Sequence, residues 1–224
     1  MCGRFTLTAD AATLQQSMGL GEVPDEVGAQ FNVAPSQAVA VVTEPFERDV
    51  KLFRWGLIPS WAKDKKIGYR MINARAETVA QKPAFRAAFS RRRCIVLADG
   101  FYEWQRVGKK KKQPYYFRVP SGQPFAMAGL WEVWHSPQEP EPLYSCTIIT
   151  CAANERVAPI HARSPVILQG DMPWIWLDPH TSRAQLHDLL TPLPADKINL
   201  HPVSTLVNSP RHDSPSLIDK VAFL

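Results

Sequence analysis

No apolar run in this chain approaches the roughly 18 residues that a membrane-spanning helix requires, and the N-terminus lacks the basic region and apolar stretch of a secretory leader. A cytoplasmic protein without a membrane partner is expected. Cysteine is sparse: Cys2, Cys94, Cys146 and Cys151 form no C-x-x-C pair and show no metal-ligand spacing. Reduced thiols are therefore expected, with neither a disulfide framework nor structural zinc. A glycine-rich phosphate loop, an H-E-x-x-H pair, a G-x-S-x-G elbow and a dinucleotide fingerprint are also absent. Nucleotide-cofactor and metalloprotease readings lack support, and no metal or cofactor is expected. The chain has no internal repeat, low-complexity tract or clear linker.

What the 224 residues do contain is apolar bulk, with 45% hydrophobic residues and seven tryptophans. That suffices to bury one core without staples, so a single domain over residues 1–224 is expected. The net charge of +5 is mild, compatible with a polyanionic partner without requiring one. The basic residues are nonetheless grouped: Lys63, Lys65, Lys66, Arg70 and Arg75, then Arg91 to Arg93, then Lys109 to Lys112. The last group sits between two aromatic strand-like runs and reads as a solvated hairpin tip.

Thr8 is placed to cap a short helix through ADAATLQQSM. AVAVVTE and DVKLFRWGLIP read as an antiparallel strand pair, the second ending at Pro59. ARAETVAQKPAFRAAFSRRR is helical in composition but interrupted by Pro83, which predicts two short helices. CIVLADGFYEWQ, PYYFRV, PFAMAGLWEVW, YSCTIITCAA, HARSPVIL and INLHPVST are strand candidates. AANERVAPI, DMPWIWL and SRAQLHDLL read as helical turns or short helices, and LVNSPRHDSPSL as irregular loop. The fold class that follows is α+β, a single domain with a curved, largely antiparallel, barrel-like β-sheet surrounded by short helices.

Several polar residues stand where chemistry is possible. If Met1 is removed, Cys2 becomes a terminal 1,2-aminothiol. Its amine, with a reference pKa of about 7.7–8.0, and its thiol, of about 8.5, are both usable nucleophiles near neutral pH. Such a group can attack an acyl carbon, or condense with an aldehyde to an imine that the thiol closes to a thiazolidine. An accident of start-codon context is the plain alternative. In INARAET, Asn73 and Arg75 share one side of an extended segment, with Glu77 on the same side if the strand continues; taken alone, Asn-Ala-Arg reads as a common loop sequence. Glu103, between Tyr102 and Trp104, must be paired, hydrogen-bonded or raised in pKa if buried, and an edge-strand carboxylate if not. His161 and Arg163 are co-facial if extended, a pairing suited to sugar and phosphate oxygens. Trp61 precedes the Lys63 to Lys66 cluster and reads either as a stacking platform beside a basic groove or as a loop anchor.

Read in order, MCGRF, FNVAP, RWGLIPSW, INARAET, ADGFYEW, TCAA and IHARSPVIL resemble the SOS response-associated peptidase (SRAP) family from Cys2 to about Leu168, with softer similarity through HPVST and VNSP. The resemblance implies Cys2, Asn73, Glu103 and His161 as catalytic residues. It also implies binding of single-stranded DNA bearing an abasic site, with a covalent crosslink through Cys2. On that reading Asn73 holds the amine and ring, Glu103 shuttles protons, and His161 assists opening of the sugar. Arg4, Arg75 and Arg163 bind flanking phosphates, while Asn32, Pro35 and Trp61 contact the kinked strand or its bases. A monomer suffices, and a general methionine aminopeptidase can remove Met1. Two other readings stay open: an N-terminal-nucleophile cysteine amidohydrolase or peptidase, and a non-covalent single-strand binder whose salt-sensitive binding survives loss of Cys2.

Overall fold

The computed structural model describes residues 2–108, 111–136 and 140–223, and within these the alternation of apolar residues along the strands sets the architecture. The first half carries β1 (Phe5–Leu7), α1 (Ala11–Met18), β2 (Gln30–Val33), β3 (Ala38–Val42), β4 (Val50–Trp55), β5 (Asn73–Arg75) and α2 (Arg86–Arg91). The second half carries β6 (Arg93–Ala98), β7 (Gly100–Val107), β8 (Lys111–Arg118), β9 (Phe125–Trp134), β10 (Leu143–Ala152), β11 (Arg163–Pro165) and β12 (Ile167–Leu168). It ends with α3 (Met172–Leu177), α4 (Arg183–Asp188) and β13 (Asn199–Pro202).

Five strands close on themselves. β4 pairs β3, β3 pairs β6, β6 pairs β9 and β9 pairs β10, all antiparallel; a parallel pairing of β10 with β4 completes the ring. β5 and β11 extend it along β10, and β12 along β9. A second, wholly antiparallel sheet has the order β13-β8-β7-β1-β2. The expected α+β domain with a barrel-like sheet is thus present, together with a second sheet packed on it.

Because side chains alternate across a strand, each barrel strand feeds two cores. Val39 and Val41 of β3 join Trp55, Val96, Met127 and Ile148 inside the barrel, where Phe5, Phe101 and Phe117 of the second sheet meet them. Ala40 and Val42 point outward with Ile95, Leu97 and Ala128, against Leu14 of α1, Phe89 of α2, Trp176 of α3 and Leu186 of α4. All four helices therefore coat the outer wall, and the second sheet lies against the inner core. Both faces of the barrel strands are buried, so β6 and β9 read as continuous apolar runs rather than alternating ones.

Local expectations are met unevenly. Asp10, not Thr8, caps α1, accepting from the Thr13 N–H at 2.7 Å. Thr8 is committed elsewhere, its N–H and hydroxyl both donating to Asp99. β4 ends at Trp55 rather than Pro59, because the chain bends at Gly56 (φ 123°), where a Cβ would meet the Gly68 carbonyl at 2.7 Å. Before Pro83 no helix forms: the Ala76 N–H donates to the Thr150 carbonyl (2.9 Å), prolonging the pairing of β5, and turns follow to α2. Residues 155–160 are turns, and the tail expected to be irregular holds two 3-10 turns, Thr205–Asn208 and Pro215–Ile218. Lys111 and Lys112 belong to β8, paired with Val107 and Arg106, while Lys109 and Lys110 lie outside the described residues.

Asp99 alone separates β6 from β7, at the corner where the chain leaves the barrel for the second sheet. Its carboxylate accepts from the Thr6 and Thr8 hydroxyls and from the Thr8 and Ala9 N–H groups. One buried side chain thereby fixes β1 and, through it, the first residues of the chain. Asp99→Ala is expected to lower the unfolding free energy by roughly 3 kcal/mol, since several donors lose a charged acceptor at once. In a domain of this size that is about 6–12 °C in melting midpoint. A calorimetric shift far below this range would remove Asp99 from its anchoring role.

Candidate active site and nucleic-acid interface

The N-terminal segment reaches its position through the second sheet. Phe5 pairs with Phe101, and the Tyr102 N–H donates to the Arg4 carbonyl (3.0 Å), carrying the pairing of β1 and β7 toward Cys2. Cys2 is fully buried against the inner core. Glu103 is 2% exposed on β7, with a fully buried Tyr102 before it. Burial of the carboxyl raises the pKa of Glu103, an effect that nearby His161 opposes. Burial first, and the Glu103 charge second, push the Cys2 thiol far above its ordinary value, while the Arg4 N–H works the other way.

His161 ends the turn segment that follows β10. Its N–H donates to the Val157 carbonyl (3.0 Å), and Ala153 bonds back to the carbonyl of Ala162 (3.0 Å). Asn154 braces that turn, its side-chain oxygen accepting from the Arg156 and Val157 N–H groups and its amide donating to the Leu193 carbonyl. The Gln105 side chain on β7 donates to the Pro159 carbonyl (3.3 Å), tying the turn to the strand that carries Glu103. The result sets His161 Nδ1 3.6 Å from Glu103 Oε1. The same nitrogen lies 3.1 Å from both the N–H and the carbonyl of Arg163.

Asn73 opens β5, in parallel register with Ile148 of β10. Its amide donates to the Ile72 carbonyl (3.0 Å), and its buried side-chain oxygen has no hydrogen-bond partner among the described residues. Ile72 and Ile160, each one residue before a predicted catalytic side chain, both pack against the core cluster that contains Cys2. Cys2, Glu103 and His161 thus form one connected group. Asn73 is placed by the same core but makes no hydrogen bond to the other three.

The residues expected to touch DNA divide into two kinds. Trp61 is 60% exposed, as is Tyr69, and the Arg54 guanidinium lies 5.5 Å from the Tyr69 ring. Lys63, Lys65, Lys66 and Arg70 on this loop are exposed, as is Arg75. Pro35 is half-buried in a turn whose next residue, Ser36, has φ 75°, with the Ser36 carbonyl accepting from Arg54 (3.0 Å). Asn32, by contrast, is 2% exposed. Its oxygen accepts from Arg4 (2.6 Å), and its amide donates to the Ser209 (3.0 Å) and His212 (2.6 Å) carbonyls. In this structure Asn32 holds Arg4 rather than facing solvent. Arg4 also donates to the Val207 carbonyl (2.7 Å), and burial lowers its pKa.

Arg163 is likewise engaged, making a bidentate pair with Glu77 (2.9 and 3.0 Å) and donating to the Thr150 carbonyl. The basic triplet Arg91 to Arg93 is no single patch, since Arg92 pairs with Glu132 (2.6 Å) and Arg93 is buried. Sequence reasoning passed over Asp99, Asn154 and Tyr69. For Asp99 the available signal was a lone carboxylate between two apolar strands, and for Tyr69 an aromatic ring inside a basic loop. Among the described residues no cluster of His, Cys, Asp and Glu is suited to hold a metal, and no helix is long and apolar enough to cross a membrane.

The family model for SOS response associated peptidase (SRAP) matches residues 1–210. The chain is 46% identical over 223 residues to abasic site processing protein YoqW of Bacillus subtilis, covering 98% of this chain and 99% of that one. It is 33% identical over 262 residues to abasic site processing protein HMCES of Gallus gallus, covering 97% of this chain and 77% of the other. Among solved structures, a protein from Bacteroides thetaiotaomicron superposes with a TM-score of 0.90 at 28% identity, covering 99% of this chain and 100% of that one.

Proposed function

The chain belongs to the SOS response associated peptidase (SRAP) family, and from that premise we propose that it processes abasic sites in single-stranded DNA by forming a covalent crosslink through Cys2. The observation that carries this reading is the grouping of a potential terminal aminothiol with Glu103 and His161, whose side chains stand 3.6 Å apart. The aldehyde of a ring-opened abasic sugar is the electrophile that such a group traps.

In this mechanism Met1 is absent and the reactive chain begins at Cys2. The free amine adds to the aldehyde carbon, giving a carbinolamine. Loss of its hydroxyl as water, with a proton supplied by the protonated Glu103 carboxyl and the remaining proton on nitrogen returned to the Glu103 carboxylate, leaves the imine. The thiol sulfur then bonds to the imine carbon, its proton passes to the nitrogen, and a five-membered thiazolidine results. No oxidant or reductant is consumed. His161 assists by delivering a proton to the sugar ring oxygen as the ring opens, and the unpaired oxygen of Asn73 accepts from the Cys2 amine. Run backwards, the same transfers release the DNA, and while the linkage stands the abasic site is shielded from strand scission.

Trp61 and the basic loop around it supply a stacking surface beside cations, the combination that binds unpaired strands without reading sequence. Arg4 and Arg75 meet phosphates flanking the abasic site. Arg163 joins them if a phosphate shares or replaces its carboxylate partner Glu77. Asn32 contributes by holding Arg4.

The test is incubation of mature protein with single-stranded DNA bearing one abasic site, followed by denaturing electrophoresis. A conjugate is expected with the aldehyde-bearing site and none after its reduction to the alcohol; equal yields with both would sink the proposal. For Arg4→Ala, the slope of log affinity against log salt is expected to shrink by about one phosphate contact. An unchanged slope would remove Arg4 from the phosphate contacts.

A further inference from the structure

On the outer wall, between α2 and α4, a cavity of about 240 Å³ is lined by Arg86, Arg93 and Arg183 with the hydroxyl residues Ser90 and Thr181. No carboxylate is among its lining residues. Arg93 is the informative member. It is 6% exposed, and its guanidinium donates to the carbonyls of Trp176 (2.6 Å), Phe89 (3.1 Å), Ser90 (3.0 Å) and Asp178 (2.8 Å). Those carbonyls satisfy four of its five N–H groups, but they carry no formal charge. Among the described residues Arg93 has no ion-pair partner; the Asp178 carboxylate acts on it only at longer range, and burial lowers its pKa. A buried cation left in this state is costly. Arg86 and Arg183 are exposed at the same cavity and form no ion pair among the described residues.

We propose that this cavity binds a phosphate group. Arg86 and Arg183 grip its oxygens, the Ser90 hydroxyl donates to it, and Arg93 contributes its buried charge and its one remaining N–H. Planar guanidinium forks match phosphate oxygens pairwise, so two exposed arginines over a buried third make a phosphate-selective arrangement rather than a general cation patch. The volume leaves room for a small ester substituent on the phosphate. Phe89 and Leu186 at this cavity belong to the outer core and Cys2 to the inner one, so the barrel wall separates the phosphate site from the proposed crosslinking centre. The inference is accordingly independent of the crosslinking reading. Two sources share the required chemistry, a small phosphate ester and the terminal phosphate of a nucleic acid.

Calorimetric titration of the full chain with inorganic phosphate, at ionic strength held constant with chloride, decides the matter. Saturable one-to-one binding is expected, weakened at least tenfold in the double variant R86Q/R183Q, while the melting midpoint in chloride alone stays unchanged. Absence of saturable binding, or binding that the double variant retains, overturns the proposal. Oligonucleotides with and without a 5′-phosphate then separate the sources. A phosphate-dependent gain in affinity that R86Q/R183Q loses assigns a nucleic-acid end, and equal affinity assigns a small ester.

Discussion

Cys2→Ala is expected to give no denaturation-resistant conjugate with abasic single-stranded DNA while binding that DNA about as tightly as the wild type. Alanine at position 2 keeps a terminal amine but has no sulfur to close the ring, so the product stops at an imine that water reverses. Addition of a borohydride during incubation is therefore expected to restore a conjugate in Cys2→Ala by reducing the imine. Blocking removal of Met1 is expected to abolish the conjugate formed without borohydride, because the nitrogen of Cys2 is then an amide whose lone pair is delocalised into the carbonyl, and no five-membered ring can close from the Cys2 thiol onto an imine at Met1. The two variants separate the roles of amine and thiol, which one loss-of-function result cannot do. A stable conjugate from Cys2→Ala without reductant would place the covalent bond elsewhere on the protein. Environment also bears on the rival acyl-transfer chemistry. That reaction is served by a thiolate, whereas burial, the largest cause, pushes the Cys2 thiol up. A thiol that stays protonated suits ring closure onto an imine, where its proton is needed on nitrogen.

The strands were legible in the sequence because their signal is local: β-branched and aromatic runs bounded by turn residues mark β3, β4 and β6 to β10 wherever they later pair. Closure of the barrel was not. It depends on a parallel contact between β10 and β4, with Ser145 beside Arg54, and no periodicity encodes which distant strand a buried run will meet. The site divides in the same way. Cys2, Glu103 and His161 were found as residue types within motifs, and the two sheets bring them together. The burial of Asn32 was hidden, because its partners are backbone carbonyls near the other end of the chain, 177 and 180 residues away for Ser209 and His212. A carbonyl has no side-chain signature, so a sequence shows the donor and not the acceptor. Glu77 illustrates the converse: its place on one side of an extended segment with Arg75 was readable, but its ion pair with Arg163 required β5 and β11 to lie along the same strand, β10.

Glu103→Gln is expected to slow crosslinking by roughly 10²–10⁴-fold, the range typical of a lost general acid, with little change in DNA affinity. Glutamine preserves shape and hydrogen-bonding capacity but transfers no proton, so the loss should fall on rate. The pH dependence makes the assignment specific. With the Glu103 pKa raised by burial, the carboxyl keeps its proton over a range in which an exposed carboxyl is ionised. The amine of Cys2 must be unprotonated to attack, which favours pH near or above its reference value of about 7.7–8.0. The wild-type rate is then a bell, falling on the alkaline side as Glu103 ionises and on the acid side as the amine protonates; Glu103→Gln should retain the acid limb and lose the alkaline one. Stability supplies an independent readout. A carboxyl whose folded pKa is raised binds more protons in the native state, so wild-type stability is greatest below the unfolded pKa and declines as pH rises through the folded one. The Gln variant lacks that decline and should melt higher than the wild type at neutral pH while crosslinking more slowly. A variant that lost affinity but kept both limbs of the bell would assign Glu103 to positioning the strand, and the proton would have to come from His161.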